Sequence, residues 1–259
     1  MTEIKSGRKA SDVKLFVAML ALDHRNHCVT TASLLDTQAA MIQAGIPHTP
    51  NVYFLMQDSN VPFARNRAVA QFMLTECTDL IFIDSDITWD TKSLLRLICH
   101  PVDFVGGTYR KKIQNSLTGE LMTQYAIDGL YDENGDTPGS DPETGLLPVK
   151  RLPAGFLRIT RSAIQRMINE CDVQEYEIDD HGRPLTIHRL FSFDHVGGSE
   201  VSEDYRFCDR WREIGGTVWC DPELKIDHIG SATFAGHFGD FVRTLMQMEQ
   251  QAKTLEAAE

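Results

Sequence analysis

Apolar residues follow two rhythms along the first hundred positions. Continuous runs, "VKLFVAMLAL" (13–22), "NVYFLMQ" (51–57), "DLIFID" (79–84) and "VDFVGG" (102–107), have the length of strands, the first of them reading as buried. Between them the apolar positions recur at helical steps. "TASLLDTQAAMIQAG" (31–45) predicts a helix capped by Thr30 or Thr31 and stopped by Gly45. "PFARNRAVAQFMLTEC" (62–77) predicts one with Pro62 in its first turn, and "TKSLLRLICH" (91–100) one capped by Asp90. Strands alternating with helices imply a mostly parallel sheet with helices on both faces.

The rhythm then breaks. "DGLYDENGDTPGSDPETG" (128–145) has Gly, Pro, Asp and Asn without apolar periodicity and reads as a loop. Order resumes with "RLPAGFLRITRSAIQRMINE", a strand running into a helix, and "SEDYRFCDRWREIGG", a helix capped by Ser202 and stopped by Gly215. Short strands in "GTVWCD" and "LKIDHIG" lead to a last helix from about Gly239, whose tail "TLEAAE" is expected to fray. The expected layout is a flexible N-terminus (1–12), one domain (13–238) with halves 13–127 and 151–238 around the loop 128–150, and a C-terminal helix (239–259).

Composition narrows the classes. A chain of 259 residues holds one large α/β domain or two small ones. No apolar run reaches the length of a membrane span, and "MTEIKSGRKASD" has no apolar core of a signal peptide, so the expected location is cytoplasmic. The six cysteines form no C-x-x-C pair, which fits reduced thiols rather than zinc or disulfides. A net charge of −12 disfavours non-specific wrapping of nucleic acid but not a local basic groove.

The chemistry concentrates in "DLIFIDSDITWD", where Asp84 and Asp86 end an apolar strand. Ligands of open α/β sheets bind beyond the carboxyl ends of strands. On an extended backbone, residues two apart share a face, so both carboxylates are expected to converge on one point with Ser85 turned away. Two such anions need a compensating cation or proton. One solution is a divalent metal holding a diphosphate. Another is the aspartyl nucleophile of haloacid-dehalogenase-like phosphatases, whose D-x-D-x-[TV] signature "DSDIT" matches literally. That motif normally ends the first strand of its core, whereas about eighty residues precede it here.

With "SNVPFARNRAVAQFM", "GGTYRKK", "PAGFLRITRSAI", "SEDYRFCDRWREIGG" and "DPELKIDHIG" in this order, the chain resembles GT-A glycosyltransferases. The likeness is to family-2-like and Anp1-like enzymes, including short stand-alone forms from phages and bacteria, over roughly residues 13–228. The resemblance implies a GT-A fold, a nucleotide-sugar donor, expected to be a UDP-sugar, and Mn²⁺ or Mg²⁺. It makes Asp84, Ser85 and Asp86 the D-x-D motif, with Asp84 toward the ribose and Asp86 the principal metal ligand beside Asp84 and His228. Arg65 and Asn66 open a helix aimed at the nucleotide. Asp23, with His24, occupies the base-holding loop "LDHRNH", which lacks the family's usual proline.

An inverting transferase needs a general base. Glu203 and Asp204 are the candidates, against the plain alternative that both merely favour a helix dipole. At about 100° per residue, Asp204 aligns with Cys208 and Trp211 on the apolar stripe, which makes Asp204 the expected base and leaves Glu203 to orient the acceptor. Gly155 and Phe156 of "PAGF" match the acceptor-side segment. The acceptor is a hydroxyl. The phage-like forms include enzymes acting on 5-hydroxymethylated bases in DNA, which in a phage-encoded enzyme would place it in the host cytoplasm, and Arg110, Lys111, Lys112, Lys150 and Arg151 are candidate phosphate contacts. A glycan or polysaccharide is the alternative acceptor; a phosphatase acting through Asp84 and a catalytically silent nucleotide-binding module are the alternative classes.

Overall fold

The computed structural model describes residues 7–21, 25–46, 51–56, 60–113, 122–130, 139–230 and 232–256. In chain order the first half holds β1 (Leu15–Ala21), α1 (Cys28–Gln43), β2 (Asn51–Met56), α2 (Val61–Met73), β3 (Asp79–Asp84), β4 (Ile87–Trp89), α3 (Thr91–Cys99) and β5 (Phe104–Gly106). The second half adds β6 (Leu147–Val149), β7 (Phe156–Thr160), α4 (Arg161–Glu170), β8 (Glu175–Asp179), β9 (Pro184–His188), β10 (Asp194–Val196), β11 (Ser199–Val201), α5 (Glu203–Glu213), β12 (Val218–Cys220), β13 (Ile226–Ile229), β14 (Thr233–Phe234) and α6 (Phe238–Glu256).

Seven strands form the central sheet in the order β2-β1-β3-β7-β5-β12-β6. Strands β2, β1, β3, β5 and β12 run one way, with β7 antiparallel between β3 and β5 and β6 antiparallel at the edge. This is the mixed α/β organisation with a large, mostly parallel central sheet expected from the sequence. Strand periodicity divides the core into two layers: Phe16, Ala18, Leu80 and Phe82 face α2, α4 and α5, while Leu15, Val17, Met19, Ile81 and Ile83 face α1 and α3. The run "LFVAML" is apolar throughout because both its faces are covered.

Several element ends differ from expectation. Helix α1 starts at Cys28 with His27 as an N-cap that makes no side-chain bond, so neither Thr30 nor Thr31 caps it; Thr30 is buried within the helix. Gly45 does stop it, with φ +67. Asp90 is an ordinary cap, its carboxylate accepting from Ser93 N at 2.7 Å. The segment 128–150 contains β6. Helix α6 continues to Glu256, into the tail expected to fray. The N-terminal segment is tied down where it is described: Arg8 donates to both oxygens of Asp79 at 2.7 and 2.8 Å. All six cysteines are unpaired. Among the described residues, no helix is long and apolar enough to cross a membrane.

Candidate active site

Strand β3 ends at Asp84, and the chain turns at Ser85 and Asp86 before β4. Strand alternation therefore does not carry through to Asp86, and the two carboxylates take different partners. Asp84 turns toward α2, and Asp86 toward β13.

Asp84 belongs to a buried chain of charges. Asn60 caps α2 by accepting from Phe63 N, Pro62 sits in the first turn, and Arg65 lies one turn further on the inner face. Arg65 donates to Asp84 Oδ1 at 3.1 Å and to Glu203 Oε1 at 2.8 Å, and is 4% exposed. Burial disfavours its charge, but Asp84, Asp204 and Glu203 around it hold the guanidinium firmly protonated. Burial pushes the Asp84 carboxyl upward against the pull of Arg65, and repulsion from Asp86 and Asp204 adds to it. Glu203 is likewise raised by burial, opposed by Arg65.

Gly155 and Tyr109 close over Asp84. A Cβ on Gly155 would stand 2.6 Å from Asp84 Oδ2 and 2.2 Å from the Tyr109 hydroxyl, so the glycine is there for space. Burial and the neighbouring carboxylate Asp84 push the Tyr109 phenol far above its usual range, and it stays a neutral donor. Its ring meets that of His228 edge-on, with centroids 4.9 Å apart.

Asp86 and His228 are brought together by pairing of β4 with β13. His228 lies opposite Ile87, and Ile229 N donates to the Asp86 carbonyl at 2.8 Å. His228 Nδ1 donates to the Arg110 carbonyl at 3.0 Å, so in the neutral ring the lone pair is on Nε2, which faces Asp86 Oδ2 at 3.5 Å. A carboxylate so placed is stabilised by positive charge beside it. Lys112 supplies one such charge, its ammonium lying on Asp86 Oδ2. Burial raises the Asp86 carboxyl, but His228 and Lys112 outweigh this and hold it at about 2.

The arrangement fits a divalent cation bound from one side. An imidazole oriented by a backbone carbonyl and a carboxylate held ionised are suitable ligands. Among the described residues no group of three His, Cys, Asp or Glu forms a complete cage. A cation here would need oxygens from its substrate, as is usual where diphosphate is bound. Asp84 is paired with Arg65 and is near enough to Asp86 for the two charges to repel.

Other expected site residues fall elsewhere. Both ends of the Asn66 amide are used on the Phe191 backbone, donating to its carbonyl and accepting from its N–H, each at 2.8 Å, so Asn66 fixes the segment 190–193 and not a nucleotide. Phe156 is wholly buried with its ring 5.5 Å from Trp89, a core position and not an acceptor contact. Ser85 contributes its carbonyl, which accepts from His27 N at 3.1 Å and stitches the loop after β1 to the acidic turn. Asp23 and His24 lie outside the described residues.

The two α5 carboxylates are reversed relative to the helical-wheel expectation. Glu203 is 8% exposed and bound to Arg65; Asp204 is half-buried, with Oδ1 accepting from Ser202 Oγ and Tyr205 N. Among the described residues Asp204 Oδ2 carries no bond. Tyr109 was missed as a site residue, and Lys112 was expected only as a phosphate contact; the signal available was their segment, "GGTYRKK", directly after β5. Of the cations expected to meet DNA phosphates, Arg110, Lys112, Lys150 and Arg151 are engaged in the protein. Arg110 donates to the Ala235 and Met122 carbonyls, Lys150 lies 3.7 Å from Asp128, and Arg151 bonds Asp128 and Asp209.

No protein-family model matches the chain, and no curated protein sequence matches it. Among solved structures it is similar to A197 from STIV (15% identity, TM-score 0.48, covering 86% of this chain and 93% of that one). It is also similar to GalNAc-T7 in a complex with UDP, GalNAc and Mn²⁺ (12%, TM-score 0.45, 84% and 43%). A third likeness is to a glycosyltransferase involved in glycosylating the major capsid of PBCV-1 (10%, TM-score 0.30, 61% and 68%). All three fall below a TM-score of one half.

Proposed function

We propose that the chain is a metal-dependent glycosyltransferase moving a sugar from a nucleotide sugar, a UDP-sugar in our reading, to a hydroxyl acceptor. One observation carries this reading. Beyond the ends of β3 and β13, four carboxylates (Asp84, Asp86, Glu203 and Asp204) gather around two cations, Arg65 and Lys112. A site so short of positive charge binds a diphosphate only together with a further cation.

Asp86 and His228 would hold that cation, with Asp84 and Tyr109 beside it toward the donor. A bound divalent ion supplies charge neutralisation for the departing diphosphate. Arg65 holds Asp84 and Glu203 in place by hydrogen bonds, so the acidic wall needs no rearrangement when donor arrives. Lys112, released from Asp86, would be a cation able to pair with the diphosphate. Asp204 remains our candidate base: its unbonded Oδ2 is able to take the acceptor proton as the sugar carbon is attacked. Glu203 acts through Arg65 and not on the acceptor, which revises its expected part.

Incubation with Mn²⁺ and a panel of nucleotide sugars tests the reading. Slow release of nucleoside diphosphate from a UDP-sugar, stopped by EDTA, is expected. Absence of both nucleotide binding and donor turnover across the panel would overturn it.

A further inference from the structure

Beside the amino end of α5 the surface opens into a recess of about 570 Å³ lined by Phe193, Asp194, His195, Glu200, Val201 and Ser202. We propose that this recess is the acceptor subsite and that it takes a neutral saccharide ring stacked on Phe193. The assignment of the subsite to an acceptor rests on the transferase reading above.

Its position is fixed by bonds on the page. Ser202, in the wall of the recess, donates to Asp204 Oδ1, and the next residue, Glu203, connects through Arg65 to Asp84. A ring seated there would meet Ser202, whose hydroxyl is bonded to the candidate base. The floor is rigid: Phe191 is held at both backbone groups by Asn66 and stacks on Phe207 at 4.1 Å, while Arg210 donates to the Leu190 carbonyl and to Ser192 Oγ. From this fixed segment the chain projects Phe193, 64% exposed, two residues after a wholly buried phenylalanine. An aromatic ring presented to water from a rigid support is a platform and not a packing error.

The lining then selects the ligand. His195 and Glu200 are directly opposed on β10 and β11, so they share one face of the hairpin and join Ser202 as hydrogen-bonding groups around the ring. One apolar face rimmed by a few polar groups complements a sugar, which offers one C–H face and a rim of hydroxyls. A polyanion is disfavoured. The recess itself contributes Asp194 and Glu200, and the nearby cations are spent: Arg206 and Arg210 on Asp194, Arg151 on Asp128 and Asp209, Lys112 on Asp86. Phosphate backbones require uncommitted cations.

Saturation-transfer NMR on the full chain tests this. The probes are methyl glycosides of glucose, galactose, mannose and N-acetylglucosamine, and a single-stranded oligonucleotide carrying 5-hydroxymethylcytosine. Binding of UDP with Mn²⁺ is measured in parallel. At least one glycoside is expected to receive saturation at its ring C–H protons, to bind about tenfold more weakly to Phe193→Ala, and to be retained by Phe193→Trp. No glycoside bound by the wild-type chain, glycoside binding unchanged in Phe193→Ala, or Phe193-dependent binding of the oligonucleotide instead would each overturn the proposal. Phe193-dependent glycoside binding without any UDP binding would keep the saccharide site and remove the transferase reading.

Discussion

Gly155 leaves the space that Asp84 occupies: a Cβ at position 155 would lie 2.6 Å from Asp84 Oδ2, closer than real Cβ atoms come to anything. Gly155 also accepts from Asp84 N at 3.1 Å through its carbonyl, so the two residues are locked face to face. Gly155→Ala is therefore expected to push Asp84 and Tyr109 aside at a stability cost of about 1–3 kcal/mol. Calorimetric titration with UDP and Mn²⁺ should show donor binding at least about tenfold weaker while the circular dichroism spectrum persists. Wild-type affinity in the variant would remove Asp84 from the donor site.

Asp86, His228 and Lys112 give opposite signs in one metal titration. Asp86→Ala should abolish Mn²⁺-dependent UDP binding, and His228→Ala should weaken Mn²⁺ less severely, as one ligand among several. Lys112→Met removes the ammonium that competes for Asp86 Oδ2. A half-exposed ion pair is worth about 0.2–1 kcal/mol, so Mn²⁺ alone should bind up to about fivefold tighter, and UDP in saturating Mn²⁺ more weakly. Electron paramagnetic resonance of free Mn²⁺ reads the first quantity. Unchanged or weaker Mn²⁺ binding in Lys112→Met would show that the ammonium does not occupy cation space.

The framework was legible where burial imposes a period. Strands β1 to β3 and helices α2, α3 and α5 carry unbroken apolar runs or stripes, because each touches the core on one or both sides. The hairpin β8–β9 was missed although "EYEID" and "PLTIH" alternate polar and apolar residues, because the signal is short and β8 is exposed at nearly every position. Within the site, "DSD" was visible but its geometry was not: the turn at Ser85 and Asp86 sends the carboxylates to different partners, and no spacing rule reports a turn of that kind. The pairing of Lys112 with Asp86, and of Arg65 with Glu203 across 138 positions, is tertiary information. The helical wheel misjudged Glu203 and Asp204 because side chains in a first turn lean back toward the amino end, where a buried arginine decides which carboxylate goes inward.

At the opposite end of the sheet, Asp79 is wholly buried between Arg8 and Arg158, whose guanidinium is itself fully buried. Burial alone would raise this carboxyl, but hydrogen bonds from Arg8 and Thr78 and the charge of Arg158 hold it below its ordinary range. Its folded value lies below its unfolded one, so its contribution is present above about pH 4 and is lost as pH falls through the folded value. Asp79→Asn leaves Arg158 buried without its counter-charge and is expected to cost about 3–5 kcal/mol. Urea unfolding at pH 7 and in the acid range should show that loss, with a shallower acid dependence in the variant. Equal stability at pH 7 would mean that the buried pair contributes nothing net.

Asp204 and Glu203 stand side by side at the start of α5, yet their bonds predict different failures. Asp204 has one oxygen tied to Ser202 Oγ and Tyr205 N, and those bonds survive in Asp204→Asn if the amide oxygen takes that place. Donor binding should then persist while transfer falls by the roughly 10²–10⁴ of a lost general base. Glu203→Gln weakens the anion bound to Arg65 instead, which should lower stability by about 1–3 kcal/mol and loosen Asp84, so its kinetic loss belongs to the donor and not to the acceptor. Both variants are to be assayed with a true acceptor, because donor hydrolysis admits water in another pose. A wild-type transfer rate in Asp204→Asn, or a product anomer showing retention, would return Asp204 to the ordinary part of an acidic residue at a helix start.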